Sequence, residues 1–180
     1  MHAHRLLCGA FITEEQFQRS LGAGRADLTA VMRYLQVPVA ERPNISPYFD
    51  RAFYLALHQD LPPGTDPLLH FIESGCAALR APHPLVDLRF IAGIDPLILG
   101  ASPDVAALVE LLDYDLAAPS PYFDPEEYRA RLGPAAPDSG MLRHFLAEGL
   151  AAGALANPWL DHAWYAARYP DVKPDPYQAL

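Results

Sequence analysis

The chain has 180 residues, 51% of them apolar, which is enough for one domain with its own core. A formal net charge of −9 argues against nucleic acid and anionic membrane as main partners, because both require basic surface. No apolar run reaches the roughly 18 residues of a bilayer span, and the non-equivalent Cys8 and Cys76 form no disulfide framework, which points to a reducing, cytoplasmic setting.

The N-terminal stretch carries His2, His4 and Cys8, but only Leu6 and Leu7 form its apolar run, too short for a signal peptide. Thr13 and Gln16 have capping-box spacing and predict a helix from near residue 14, with another from near 28. Asp50 reads as an N-cap, with Phe49 before it and Tyr54 after it as a hydrophobic staple. Pro62 limits that helix to about ten residues. Asp66-Pro67 opens the next helix, Leu68, Leu69, Phe71 and Ile72 give its buried face, and Gly75 suits a left-handed end.

Asp87 opens a helix from near 88, and Ser102-Pro103-Asp104 one from near 103. The latter has Leu112 where the earlier one has glycine, and runs on toward Asp113. Asp124-Pro125 with Glu127 makes a capping box with proline at the first helical position. Met141, Leu142, Phe145, Leu146 and Gly149 repeat the second-helix pattern, and Asp161 opens a helix from near 162. Proline-bearing extended stretches follow at 80–84, 118–121 and 156–158. No strand-like alternation intervenes, so more than about half of the chain is expected to be helical, with no sheet.

These signals recur every 37 residues. Asp50, Asp87, Asp124 and Asp161 share one phase, Pro47, Pro84, Pro121 and Pro158 a second, and Tyr54, Ile91, Tyr128 and Tyr165 a third. Phe71, Leu108 and Phe145 coincide, as do His70 with His144 and Gly75 with Gly149. The pattern predicts an all-α fold, a solenoid-like stack of short helical hairpins, in one domain over 1–180. Its units are about 10–45, 46–82, 83–119 and 120–156, with a partial unit at 157–180.

Chemistry is scarce by comparison. Capping accounts for the four regular aspartates, and His70 and His144 lie two units apart, too far to share a metal. No metal site, cofactor or catalytic residue is expected: Gly22-Ala23-Gly24 is too short for a dinucleotide fingerprint, and no nucleophile-elbow or zinc motif occurs. The repeat phase places most aromatics in the core, but Tyr48, Tyr122 and Trp159 precede the capping pair and are expected to face out. Glu110, Asp113 and Asp115 form a candidate acidic patch. Trp164, Tyr169 and Val172, at an unfinished last hairpin, form a candidate docking face for a second copy or a covering domain.

Residues 158–172, Pro-Trp-Leu-Asp-His-Ala-Trp-Tyr-Ala-Ala-Arg-Tyr-Pro-Asp-Val, and 66–75, Asp-Pro-Leu-Leu-His-Phe-Ile-Glu-Ser-Gly, resemble a bacterial helical repeat. That repeat reads Phe-Asp-x-x-Trp-Tyr-Leu-x-x-Tyr-Pro-Asp-Val, then Pro-Leu-x-His-Tyr-Leu-x-x-Gly. It occurs beside glycosyltransferase and sulfotransferase domains of surface-polysaccharide biosynthesis. The resemblance covers roughly residues 45–180 and departs from the pattern at 87–115, where Tyr-Pro-Asp-Val and the histidine are absent. It implies a context in polysaccharide assembly and no mechanism. The expected function is a non-catalytic interaction module for a protein partner or for self-association. Carbohydrate binding through the outward aromatics, or service as the accessory N-terminal domain of a glycosyltransferase, are the alternatives.

Overall fold

Each helix in the chain has to satisfy the N–H groups of its first turn, and aspartate does so repeatedly. In the computed structural model, Asp50 accepts from the Phe53 N–H, Asp87 from Arg89 and Phe90, and Asp124 from Glu126 and Glu127, all at 2.8–3.1 Å. The structure describes residues 28–157 together with Phe11, Ile12, Gln18, Gly22, Trp159 and Arg168. The expected helix starts near 14 and 162, the cap at Asp161 and the face at Trp164, Tyr169 and Val172 lie outside those residues.

Seven α-helices and no strands occur among the described residues: α1 (Leu28–Gln36), α2 (Arg51–Leu57), α3 (Pro67–His70), α4 (Leu88–Ile94), α5 (Val105–Asp113), α6 (Pro125–Leu132) and α7 (Met141–His144). Short 3-10 turns add Val39–Glu41 and Gly133–Ala135. Fewer than half of the described residues are α-helical, short of the expected majority. The helices are brief because proline and extended linkers interrupt them so often. Helix α2 packs on α3, α6 on α7, and α5 on α7.

Three sets of equivalent positions are equivalently buried. Phe71, Leu108 and Phe145 are all core, as are Tyr54, Ile91 and Tyr128, and Phe49, Val86 and Phe123. Phe49 meets Tyr54 with ring centroids 5.2 Å apart, and Phe123 meets Tyr128 at 5.5 Å. The backbone repeats too: the Asp50 N–H donates to the Pro82 carbonyl at 2.9 Å and the Asp87 N–H to that of Pro119 at 2.8 Å. The stretches at 80–84 and 118–121 thus return to the caps at which their own segments began.

Gly75 does not end its helix in a left-handed turn, contrary to its sequence reading. Both α3 and α7 widen instead into single π-helical turns, Phe71–Gly75 and Phe145–Gly149, with bonds from Cys76 N to Phe71 O (2.9 Å) and Leu150 N to Phe145 O (2.8 Å). The left-handed residue comes later, at Leu79 (φ 54°) and, 74 positions on, at Gly153 (φ 72°). The glycines serve close approach. A Cβ built on Gly75 would fall on the Tyr54 hydroxyl, and one on Gly149 on that of Tyr128.

Candidate functional site

The tyrosine, histidine and glycine positions form two matching junctions. Tyr54 and His70 Nδ1 are joined through the hydroxyl at 2.8 Å, and Tyr128 and His144 Nδ1 at 3.0 Å. Burial pushes both hydroxyls above the ordinary tyrosine range, so they stay protonated and donate. Burial also lowers His70, with the Arg80 charge adding to the effect, which keeps the ring neutral, so that Nδ1 can accept in the tautomer protonated at Nε2. Ile91, Ala107 and Leu112 occupy the same places in the middle segment. With no hydroxyl there, no histidine is needed to receive it and no glycine to admit it.

A second set of polar side chains ties distant parts of the chain. Tyr34 and Arg42 converge on Asp66, the Tyr34 hydroxyl at 3.3 Å and the Arg42 guanidinium as a close ion pair. Arg42 also donates to the Leu35 and Val37 carbonyls and sits 5.2 Å over the Tyr34 ring. Tyr48 Oη donates to Asp113 at 2.5 Å, and Arg143 pairs with the same carboxylate at 2.5 Å. Asp115 accepts from the Met141 N–H at 2.9 Å and from Arg129 at 2.8 Å. It therefore supplies the cap that Gly140, at the start of α7, cannot.

Two sequence expectations are corrected by these contacts. Tyr48 does not face out; it is 1% exposed, with the Phe11 ring 6.4 Å from its own and its hydroxyl held inside by Asp113. Glu110, Asp113 and Asp115 do not make an open acidic patch. Glu110 is exposed, but Asp113 and Asp115 are half-buried and paired with Arg143 and Arg129. Burial raises the Asp115 carboxyl despite its arginine. Tyr122 and Trp159 do face solvent, at 40% and 88% exposure.

One row of residues escaped the sequence reading. Ser46, His83, Ser120 and Asn157 lie 37 apart, each directly before a proline. Each accepts, through its side chain, the N–H two residues on: Tyr48 at 3.2 Å, Leu85 at 3.1 Å, Tyr122 at 3.3 Å and Trp159 at 2.9 Å. The signal was a hydrogen-bond acceptor before Pro in the same phase. Its three residue types hide it. His83 is fully enclosed, and burial drives it down to about 3, so it is neutral and its Nδ1 can accept. Asn157 also donates from Nδ2 to the Pro121 carbonyl at 3.3 Å, which ties the turn before Trp159 to the turn before Tyr122.

Other exposed apolar side chains are Met32, Leu55, Leu57, Ile94, Leu97, Tyr114 and Leu116. Cys76 is buried with its thiol pushed up to about 12, an inert state. Among the described residues no three His, Cys, Asp or Glu side chains gather as metal ligands, and no helix is long and apolar enough to cross a membrane. Comparison with protein-family models, with curated proteins and with solved structures finds no match to this chain.

Proposed function

We propose that this chain is a non-catalytic interaction module, a solenoid-like stack of short helical hairpins with a 37-residue unit, which binds a protein partner. One observation carries the reading: among the described residues, the periodic aspartates and histidines and the paired Asp113 and Asp115 are committed to the fold. Asp50, Asp87 and Asp124 cap helices, His70 and His144 are hydrogen-bonded to tyrosine hydroxyls, and Asp113 and Asp115 are held by arginines. The outward side chains include the aromatics Tyr114, Tyr122 and Trp159, a residue type enriched in contact surfaces. The resemblance of residues 66–75 and 158–172 to repeats beside glycosyltransferase domains supports a cytoplasmic setting in surface-polysaccharide biosynthesis.

A second reading, carbohydrate binding, draws on the exposed Tyr122 and Trp159. A photo-crosslinking side chain at position 122, with position 55 as an exposed control, separates the two in producing cells. The module reading expects a discrete protein adduct from 122 and none from 55. Absence of any protein adduct, together with saturable binding of surface glycans that Trp159→Ala abolishes, would replace it with the carbohydrate reading.

A further inference from the structure

Ser46, His83, Ser120 and Asn157 hold the same turn with three kinds of side chain, and only the histidine titrates near neutral pH. The turns at 83 and 120 are built alike. In each, the carbonyl of the first residue accepts from the N–H three residues on, Val86 at 2.9 Å and Phe123 at 3.4 Å. In each, its side chain accepts from the N–H two residues on, Leu85 at 3.1 Å and Tyr122 at 3.3 Å. Both lead residues are buried, His83 at 4% exposure and Ser120 at 1%. What differs is the acceptor. A serine hydroxyl accepts at any ordinary pH, whereas His83 Nδ1 accepts only while it carries no proton. Once protonated, it would set one N–H against another. His70 is not so constrained, because the Tyr54 hydroxyl can turn and accept; the Leu85 N–H can only donate.

The place of this turn gives the difference a consequence. It joins segment 46–82 to segment 83–119. The Pro82 carbonyl just before it takes the Asp50 N–H, and Asp87 just after it caps α4. We propose that the turn at 83–86 is a proton-operated hinge: proton uptake by His83 opens the chain locally between these two segments, while the serine turn at 120–123 stays closed. This goes beyond the module reading and is independent of what the chain binds. The charged and titratable groups that border the turn are already engaged or outward. His58 Nε2 lies 3.4 Å from the Ala81 carbonyl, Arg80 pairs with Asp60, Asp50 and Asp87 cap α2 and α4, and Arg89 faces solvent. None of their carboxylates holds His83 up, and burial drives it down to about 3. The closed turn therefore excludes the proton, and the open turn takes it up at the ordinary histidine value of about 6.5. Opening becomes easier as pH falls below that value.

Hydrogen exchange of the whole chain, read by mass spectrometry at about pH 7 and about pH 5 and corrected for intrinsic rates, tests the hinge. The opening constant of amides in 85–91 is expected to rise about 25-fold, as values of about 3 closed and about 6.5 open require. That of amides in 122–128 is expected to stay unchanged. His83→Ser, which copies the turn at 120, abolishes the rise, and His83→Asn, which copies the turn at 157, does the same. No rise in 85–91, an equal rise in 122–128, or a rise that a folded variant keeps overturns the proposal. The two turns are compared within one unaltered molecule, so the test decides even where a variant fails to fold.

Discussion

Gly75→Ala is the most informative single change, because its effect depends on one hydroxyl. Alanine ordinarily favours a helix over glycine by up to about 1 kcal/mol. Here the new Cβ would fall on the Tyr54 hydroxyl, with Phe71 Cδ2 next at 3.2 Å and the His70 carbonyl at 3.5 Å. Tyr54 cannot withdraw, since its ring is wedged between Phe49 at 5.2 Å and His58 at 4.4 Å. Overpacking of this kind costs about 1–3 kcal/mol, so the net loss is about 1–2 kcal/mol. Tyr54→Phe alone forfeits the bond to His70, worth about 1 kcal/mol. Combined, the two changes remove the clash and keep the helical gain, so the double variant is at least as stable as Tyr54→Phe. Urea unfolding followed at 222 nm gives the four stabilities of the cycle. A favourable coupling of about 1–2 kcal/mol is expected. At Gly149 the rescue by Tyr128→Phe is smaller, because there the ring carbon Cζ itself lies 3.2 Å from the added Cβ. Simple additivity at position 75 would falsify the close-approach explanation of this glycine.

Stability should fall with acid through His83. Its folded value of about 3 lies below the ordinary 6.5 of histidine, so its contribution is complete above 6.5 and is lost as pH drops toward 3. Between pH 7 and 5 that loss is about 2 kcal/mol. His83→Asn keeps a turn acceptor, as Asn157 does, and flattens the profile; an unchanged pH dependence of urea unfolding refutes the assignment. Asp115→Ala removes the Met141 cap and the Arg129 partner and forces alanine to φ 54°, costing about 2 kcal/mol, while Asp115→Asn loses less because it keeps the acceptor. Equal costs in thermal melts would mean that charge, not capping, is the function of Asp115. Phe145→Ala empties a core position ringed by Phe123 at 5.4 Å and Tyr128 at 5.4 Å, and should cost about 3–5 kcal/mol in urea unfolding. An unaltered transition midpoint would place Phe145 outside the core.

Local rules made the helix starts at Asp50, Asp87 and Asp124 readable, because a cap and its N–H groups lie within three residues. Burial of Phe71, Leu108 and Phe145 was readable for a related reason, since each lies on the apolar face of its own helix pattern. Tyr48 defied its reading because its environment is set from 65 residues away by Asp113, and no local pattern announces that pairing. The acidic patch failed for the same cause: Arg129 and Arg143, on later elements, absorb the charges that stand together in sequence. Gly75 was misread because glycine serves both left-handed ends and close contacts, and only the position of the Tyr54 hydroxyl distinguishes the two. Of the candidate surface residues, Tyr122 and Trp159 kept their predicted exposure, and they follow the one kind of turn that the sequence concealed through its varied acceptors.

The long polar tie from Tyr48 to Asp113 and on to Arg143 bears on how such a chain can grow or shrink. Excising one stretch of 37 residues would spare many bonds, since the cap, the return bond to proline and the tyrosine–histidine pair each span fewer than 37 residues. The tie does not close within one. Excising 83–119 would delete Asp113 and leave the Tyr48 hydroxyl and the Arg143 guanidinium without the carboxylate that joins them. Asp115 would go with it, so that the loss of one period would leave a buried phenol, two arginines and the first turn of α7 to be satisfied anew at the same time.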